Sequence, residues 1–302
     1  MGTIRDALLI VNPQARQVAA QPRLPYLIRE ALARSRIRAD LVLTTHPGQA
    51  TDLARRGASQ GYDAILVAAG DGTVNEAING IAHCDVPLGL IPLGTGNVLG
   101  AHIELRPGDW NAACRLIASG EPRQMDLGLL NGRYFACMAG IGLDALICSA
   151  MDHRKKQWLG KLAFVAQFLQ SMAQAEPWDA DGRVDDQLLH GPVWGVFVCN
   201  TAQYTWRIRL VPEAEDDDGV LDFVVLWGCS LQELRRIAAA VFLRGKPAHD
   251  QLHMQVLRGH ELQVHAHPAV PWQVDGEVGG QTPVHCRIEP RALWLIAPAS
   301  RR

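Results

Sequence analysis

The chain of 302 residues lacks any apolar run of about 18 residues, the length that a helix needs to cross a bilayer. It also lacks a strong charge of either sign, because 29 Lys and Arg residues face 31 Asp and Glu residues. The first absence argues against a transmembrane protein, and the second argues against nucleic acid as a partner. The first six residues lack the layout of a signal peptide, so none is predicted.

Cysteine motifs are missing as well. The seven cysteines are scattered, odd in number and never spaced as Cys-x-x-Cys, and most stand in apolar runs where cysteine behaves as a small hydrophobic residue. With 48% hydrophobic and 20% charged residues, the composition is that of a globular protein. We therefore expect a soluble, reduced, cytoplasmic protein, and the length predicts two domains of roughly 150 residues each.

The first half of the chain alternates short apolar strands with amphipathic helices. Strands are predicted at 7–11, 40–45, 64–67 and 86–92, and helices near 24–32, 50–60, 74–82 and 109–119. This order predicts a parallel sheet with helices on both faces, in which ligands bind beyond the carboxyl ends of the strands. Asn12, Thr44, Asp71 and Thr95 all follow strand ends. They predict a phosphate-binding rim at one edge of the sheet.

The turn Gly70-Asp71-Gly72-Thr73-Val74-Asn75-Glu76 follows the third predicted strand and opens a helix. Gly70 and Gly72 let backbone N–H groups approach a phosphate closely, and a helix N-terminus favours negative charge. Asp71 is suited to orient a Mg²⁺ ion held by that phosphate. The alternative is a tight turn in which Asp71 or Thr73 only caps the helix.

From about residue 124 the pattern becomes mainly β. Alternation around Asn131-Gly132 predicts a hairpin, and further strands are predicted at 193–199, 221–227, 261–267, 284–288 and 292–297. The second half is therefore expected to pack sheet on sheet. Two helices interrupt it, at 155–175 and 231–243. The basic start of the former, 154–156, leaves a membrane-surface helix open beside an ordinary packed helix.

Several motifs stand in a fixed order: the 70–76 turn, then Pro92-Leu93-Gly94-Thr95-Gly96-Asn97, an acidic segment at 212–222, and finally Asp275-Gly276-Glu277. Together they resemble the lipid kinase family of soluble bacterial diacylglycerol kinases and sphingosine kinases, over residues 12–298. The resemblance implies a Rossmann-like, phosphofructokinase-like α/β domain that binds ATP, over 1–123. It further implies a β-sandwich over 124–289 and a strand in 290–302 that returns toward the first domain.

The resemblance also implies the functional residues. Those implied for nucleotide binding are Asn12, Pro13, Gln14, Ala15, Arg16, Thr44, Gly70, Asp71, Gly72, Thr73, Val74, Asn75, Glu76 and Thr95. Glu215, Asp218 and the Val220 carbonyl match a family Mg²⁺ site, although a solvated acidic loop is the usual reading of such a run. Within the catalytic set, Asp71 organises metal and phosphate.

The base that activates the acceptor hydroxyl is Glu277 or Asp275, with Glu277 placed first. If this segment is extended, the two side chains share a face and point toward one cleft. The alternative is a solvated turn with two surface acids.

Three departures from the family pattern stand out. Arg16 occupies a position that is usually glycine, and Ala69 replaces the first glycine of Gly-Gly-Asp-Gly-Thr. An alanine is tolerated there if its φ is negative. Residues 205–209, after Tyr204, carry none of the glycines common in relatives, in a region expected to shape the acceptor site.

The function implied is an ATP- and Mg²⁺-dependent kinase that transfers the γ-phosphate to a hydroxyl of a membrane lipid. Diacylglycerol, a sphingoid base and phosphatidylglycerol all remain open as acceptors, and so does a homodimer as the assembly. The enzyme is expected in the cytoplasm, transiently peripheral to the inner face of the membrane. Two alternatives are a kinase of a non-lipid acceptor such as NAD, since NAD kinases share the Gly-Asp-Gly-Thr turn, and a catalytically silent nucleotide-binding regulator.

Overall fold

Two units make up the chain, and each is described by itself. The structure, a computed structural model, describes residues 3–150, 175–205, 207–245 and 253–299. Contacts group Met1–Leu127 with Pro290–Arg302 as the first unit, and Gly128–Glu289 as the second. Within the described ranges no helix has both the length and the apolarity needed to cross a membrane. The helix predicted at 155–175 falls on residues outside those ranges, apart from its last residue.

The first unit alternates strands and helices, which confirms the pattern predicted for this half of the chain. Its elements in order are β1 (Asp6–Val11), α1 (Arg16–Ala20), α2 (Leu24–Arg34), β2 (Arg38–Leu43), α3 (Gln49–Ser59), β3 (Ala64–Ala69), α4 (Asp71–Ile81), β4 (Leu88–Pro92), α5 (Val98–His102) and α6 (Trp110–Ser119). The predicted cap of the last helix is confirmed, because the Asp109 carboxylate accepts the Ala112 N–H at 2.9 Å.

The sheet of the first unit is parallel. The order β4-β3-β1-β2 is continued beyond β4 by the end of β15 (Val284–Ala297), where Leu295 lies beside Leu88. The register sets Val11 beside Ala68 and Leu43, and Ala69 beside Pro92. The carboxyl ends of four strands therefore lie at one edge. Every residue of β3 and β4 is buried, as expected for apolar strands covered on both faces.

Helix α4 is held tightly against α3, and its first residue is Asp71. A Cβ added at Gly80 would stand 2.3 Å from the Thr51 carbonyl oxygen, so the helix backbones approach as closely as glycine allows. The Thr51 hydroxyl donates to the Glu76 carbonyl at 2.8 Å, and the Glu76 carboxylate accepts the Ala50 N–H at 3.1 Å. These contacts hold the middle and the C-terminal end of α4 against α3.

The second unit is a β-sandwich of antiparallel pairs. Its elements are β5 (Glu121–Leu130, shared with the first unit), β6 (Arg133–Phe135), β7 (Met138–Gly142), α7 (Leu143–Ala150), β8 (Trp178–Val184), β9 (Gln187–Cys199), β10 (Leu221–Trp227), α8 (Leu231–Arg244), β11 (Met254–Gly259), β12 (Glu261–His267), β13 (Pro271–Val274), β14 (Glu277–Gln281) and the first part of β15. The predicted β5–β6 hairpin is confirmed, with Asn131 and Gly132 both at positive φ.

The long strand β9 lies at the centre of this unit. It pairs with β7, β8 and β10, and their inward side chains form one apolar core with those of β12, β13 and β15. The largest fully buried side chains of that core are Phe135 and Phe223. At one end of the strand order, β14 pairs only with β13 among the described strands.

Two strand predictions were wrong in extent. The segments 284–288 and 292–297 are predicted as separate strands, but β15 runs through both. The backbone passes this point with Arg291 at φ 53°, its N–H bound at 2.7 Å by the Asp126 carboxylate. Strand β9 likewise begins at Gln187 rather than at 193, although Gly191-Pro192 breaks its alternation.

We expect Gly80→Ala to lower stability by about 1–3 kcal/mol, because the new methyl meets a backbone carbonyl that cannot rotate away. Gly57→Ala is the matched control. It is also a glycine in a helix, but its methyl would meet only side-chain ends of Ile65 and Leu8. Thermal unfolding of both variants checks this, and a larger loss in Gly57→Ala would contradict it.

Candidate functional site

The glycine turns that follow β3 and β4 stand directly against each other. A Cβ at Gly94 would lie 2.6 Å from the Gly70 Cα, and a Cβ at Gly96 would lie 2.5 Å from Asp71 Oδ2. Side chains at these positions would push the turns apart. The two turns therefore need glycine for their contact, and together we call them the paired turns (70–73 and 94–97).

The Asp71 carboxylate joins the paired turns. Its Oδ2 accepts the Asn97 N–H at 2.6 Å, and its Oδ1 accepts the Val98 N–H at 2.7 Å. Asn97 is buried at φ 52°, and its own Oδ1 accepts the Gly94 N–H at 3.2 Å. Asp71 thus shapes the second turn through backbone donors 26 and 27 residues away.

The N-terminus of α4 opens beside this contact. Its cap residue, Gly70, has extended backbone and no side chain with which to cap the helix. The first N–H groups of a helix carry partial positive charge and bind anions well. A glycine cap in contact with a second glycine turn is the arrangement that suits a phosphate group.

The other predicted rim residues are Asn12, Thr44 and Thr95, and they differ in burial and in contacts. Asn12 reaches the paired turns, since its Nδ2 donates to Thr73 Oγ1 at 3.0 Å while its Oδ1 accepts the Gln14 N–H at 2.8 Å. Thr44 follows β2 at the same sheet edge and is buried, whereas Thr95 is exposed on the second turn. The register therefore gathers these residues along one edge, as the strand pattern predicted.

The two departures in this unit have different surroundings. Arg16 is exposed at the first position of α1, so its guanidinium reaches solvent. Ala69 is the last residue of β3 and fully buried. Because a strand residue has negative φ, the methyl of Ala69 meets the condition stated for it.

The Asp275-Gly276 segment is a turn. Val274 pairs with Glu277 across it, and φ is 46° at Asp275 and 88° at Gly276, as in a two-residue type I′ hairpin. The condition on which both acids would share one face, an extended segment, is therefore not met, and the alternative of a turn is the one observed. Asp-Gly between apolar strands is itself a strong hairpin signal, and that signal was available in the sequence.

The two acids of this hairpin differ in their contacts. The Asp275 carboxylate accepts the N–H groups of Ala136, Cys137 and Met138 at 2.9, 2.9 and 3.1 Å. It therefore attaches the turn to the start of β7. Glu277 is partly exposed at the first position of β14. Its carboxylate has no side-chain hydrogen bond to the residues that the structure describes.

The acidic loop at 215–220 is paired with a cationic side chain, Arg258 of β11. Asp218 Oδ1 accepts the Val220 N–H at 3.1 Å, and Asp218 Oδ2 contacts the Arg258 guanidinium. Arg258 Nε lies 3.3 Å from Asp222, whose burial raises the pKa of its carboxyl while Arg258 opposes that rise. Glu215 is exposed.

Two carboxylates and a carbonyl are oxygen donors of the type that Mg²⁺ prefers. However, Arg258 already neutralises Asp218. Across the described ranges, no three His, Cys, Asp or Glu side chains form a cluster that could hold a metal ion. The Mg²⁺ site at Glu215, Asp218 and Val220 stays a prediction.

Comparison with known proteins assigns the family. Residues 6–130 match the diacylglycerol kinase catalytic domain, and residues 137–297 match the YegS C-terminal NAD kinase beta sandwich-like domain. The chain belongs to the diacylglycerol kinase family. This is a kinase family, so its members use ATP.

Individual relatives cover most of the chain. Diacylglycerol kinase of Bacillus subtilis strain 168 is 29% identical over 260 residues, which is 85% of each chain. Diacylglycerol kinase of Staphylococcus saprophyticus is 29% identical over 281 residues, 92% of this chain and 91% of its own. A crystal structure of a Bacillus anthracis strain Sterne protein, 24% identical, covers 98% of this chain and 99% of its own with a TM-score of 0.81. That likeness shows the fold.

We expect Asp71→Asn to lower the unfolding free energy by about 1–3 kcal/mol, because an amide cannot accept both N–H groups of the second turn. Asp109→Asn is the matched control in the same unit, since Asn caps a helix as well as Asp does. Thermal unfolding compares the two. Equal melting temperatures would contradict the role given to Asp71.

We expect Arg258→Gln to make stability dependent on Mg²⁺. Without the guanidinium, the carboxylates of Asp218 and Asp222 repel each other and favour a divalent cation. The melting temperature of the variant should rise by about 2–4 °C between EDTA and millimolar Mg²⁺, and that of the parent by less than about 1 °C. An equal response of the two proteins would show that Arg258 and the metal do not compete.

Proposed function

We propose that this protein is an ATP- and Mg²⁺-dependent lipid kinase that transfers the γ-phosphate of ATP to a hydroxyl group of a membrane lipid. The observation that carries the proposal is the contact of the paired turns beside the uncapped N-terminus of α4, in a chain of the diacylglycerol kinase family. Phosphoryl transfer depends mainly on positioning and charge neutralisation, and this arrangement is built for both.

In this proposal the first unit binds the nucleotide. Backbone N–H groups of Gly70, Gly72 and Thr73 donate hydrogen bonds to phosphate oxygens. Asn12 holds Thr73 in place through a hydrogen bond to its hydroxyl. The remaining proposed contacts are Pro13, Gln14, Ala15, Arg16, Thr44, Asp71, Val74, Asn75, Glu76 and Thr95. Asp71 organises this site by holding the second turn in place. When bound, Mg²⁺ supplies neutralisation of the phosphate charge.

Glu277 is proposed as the general base. The acceptor oxygen forms a bond to the γ-phosphorus, the bond from that phosphorus to the β–γ bridging oxygen breaks, and ADP leaves with the electron pair. The hydroxyl proton passes to the Glu277 carboxylate. Of the two acids that the sequence left open, the contacts support Glu277, because the Asp275 carboxylate is engaged by three backbone N–H groups.

The acceptor is proposed to be diacylglycerol, because relatives in Bacillus and Staphylococcus are named diacylglycerol kinases. Sphingoid bases and phosphatidylglycerol also present a hydroxyl beside apolar chains. Each of these lipids lies in a bilayer, so the enzyme meets its acceptor at the membrane surface. NAD is the competing acceptor, since the family matched by residues 137–297 is described as NAD kinase-like.

The test is transfer of labelled γ-phosphate with Mg²⁺ to mixed micelles that contain one lipid class each, with NAD in a parallel reaction. We expect a labelled lipid, with diacylglycerol the best acceptor, and mass spectrometry identifies the product. Label in NAD and in no lipid would overturn the proposal. ATP binding in calorimetry without transfer to any acceptor would instead indicate a silent regulator.

We expect Glu277→Gln to lower kcat by about 10²–10⁴-fold while ATP affinity and melting temperature stay unchanged, because only the proton acceptor is lost. Asp275→Asn is the companion variant. It should lower the melting temperature by several degrees, because an amide cannot replace an acceptor of three N–H groups. Parental kcat in Glu277→Gln would remove this residue from the mechanism.

A further inference from the structure

Two buried polar side chains and a half-buried tyrosine form a hydrogen-bonded chain behind the 275–276 turn. The Tyr204 hydroxyl donates to Asp144 Oδ1 at 2.8 Å, and Gln273 Nε2 donates to Asp144 Oδ2 at 2.6 Å. Gln273 Oε1 accepts the Gly276 N–H at 2.6 Å. Asp144 and Gln273 are each only 1% exposed. We call Tyr204, Asp144 and Gln273 the buried relay.

The Asp144 carboxylate of the buried relay occupies space left by the missing side chain of Gly140. Asp144 is the second residue of α7, and Gln273 pairs with Gly140 of β7. A Cβ at Gly140 would stand 2.0 Å from Asp144 Oδ2, so any other residue there would displace the carboxylate. The Tyr204 ring packs edge-on against Phe197, with centroids 6.1 Å apart, which holds its hydroxyl in place.

Asp144 determines which way the Gln273 amide points. A carboxylate can only accept hydrogen bonds, so the amide must turn its NH₂ group toward Asp144 and its oxygen toward the Gly276 N–H. Burial raises the pKa of Asp144, and the donors Tyr204 and Gln273 oppose that rise by stabilising the charged form. A buried carboxylate is costly to a fold unless its hydrogen bonds are satisfied, and here both oxygens are.

The turn before Glu277 is thus held from two sides. Asp275 attaches it to β7 through three N–H groups, and Gln273 binds the N–H of Gly276. Glu277 follows Gly276 directly, so the orientation of this turn decides where β14 starts and where the Glu277 carboxylate stands. Asp275 stands at positive φ, a region that few non-glycine residues occupy, and these hydrogen bonds stabilise it there.

We propose that Asp144 and Gln273 are positioning residues that place the Glu277 carboxylate for proton abstraction. This inference rests on the proposed function, because it takes Glu277 as the base. Tyr204 supports Asp144 from the other side, and among the described residues it forms no hydrogen bond to Gln273 or Gly276. In this proposal Asp144 and Gln273 act on the reaction through Glu277.

An exchange of amide and carboxylate between positions 144 and 273 tests the proposal. While its oxygen keeps accepting from Tyr204, the amide of Asp144→Asn sets its NH₂ group against that of Gln273, and relief by rotation of the Gln273 amide takes the acceptor away from Gly276. Gln273→Glu sets two carboxylates against each other. In the double variant the amide at 144 donates to the carboxylate at 273, whose second oxygen accepts the Gly276 N–H, so every hydrogen bond returns.

We expect each single variant to lower kcat at least about tenfold with KM for ATP unchanged, and the double variant to recover to within about threefold of the parent. Asp181→Asn is the control, with kcat within about threefold, because this acid is exposed on β8 and takes no part in the buried relay. A double variant no better than the singles would overturn the proposal. If the single variants also lose melting temperature and raise the KM for ATP in proportion to the loss of kcat, general destabilisation explains the loss and the proposal is overturned.

Hydrogen exchange at the Gly276 amide gives a readout that needs no activity. The amide should be protected in the parent and the double variant and exposed in both single variants, and equal protection in all four would overturn the proposal. If the parent transfers phosphate to no acceptor, the proposed function fails. The exchange pattern then still decides whether the buried relay holds the turn before Glu277.

Discussion

The Asp71 carboxylate binds the backbone N–H groups of Asn97 and Val98, and the arrangement of the first unit around its candidate site depends on these two hydrogen bonds. A parallel sheet brings strand ends to one edge, but it does not by itself bring the following loops into contact. Here the loops after β3 and β4 are in contact at Gly70 and Gly94, and the Asp71 carboxylate holds them together. The helix that begins at Asp71 has a glycine cap, so no N-cap side chain binds its first N–H groups.

The second unit uses a comparable device. Asp275, like Asp71, precedes a glycine, and its carboxylate accepts hydrogen bonds from backbone N–H groups of another segment, here residues 136–138. In both places the aspartate is a structural acceptor that fixes a backbone on which other groups act. The residues given the chemistry in our proposal are the neighbours: backbone donors beside Asp71, and the Glu277 carboxylate beside Asp275. The most recognisable acid of each motif is thus the one that builds the site.

Much of this could be predicted from local pattern. Apolar strands alternating with helices indicated the parallel sheet, Asp109 marked a helix start, and Asn131-Gly132 marked a hairpin, because each of these signals lies within a few residues of its effect. The continuity of β15 past Pro290 was missed, since its kink is stabilised by Asp126, 165 residues away along the chain. The buried relay was invisible for the same reason, as Gln273 and Asp144 are 129 residues apart and neither lies in a motif. Asp275-Gly276 is the exception, because its hairpin signal is local but both an extended segment and a turn were left open by the sequence.

Strand β14 carries Glu277 at its first position and pairs with β13 alone among the described strands. Its other residues, Val278 to Gln281, contribute nothing to the central core around β9. A substitution at the exposed Val278 would therefore cost little stability, whereas a side chain at Gly279 would meet the buried Trp272 ring and substitutions in β9 would disrupt three neighbours at once. Over evolutionary time such a layout separates the part of the domain that must be conserved from the part that is free to vary. Under the proposed function, the surroundings of the acceptor hydroxyl near Glu277 can then diversify between relatives while the sandwich beneath stays the same.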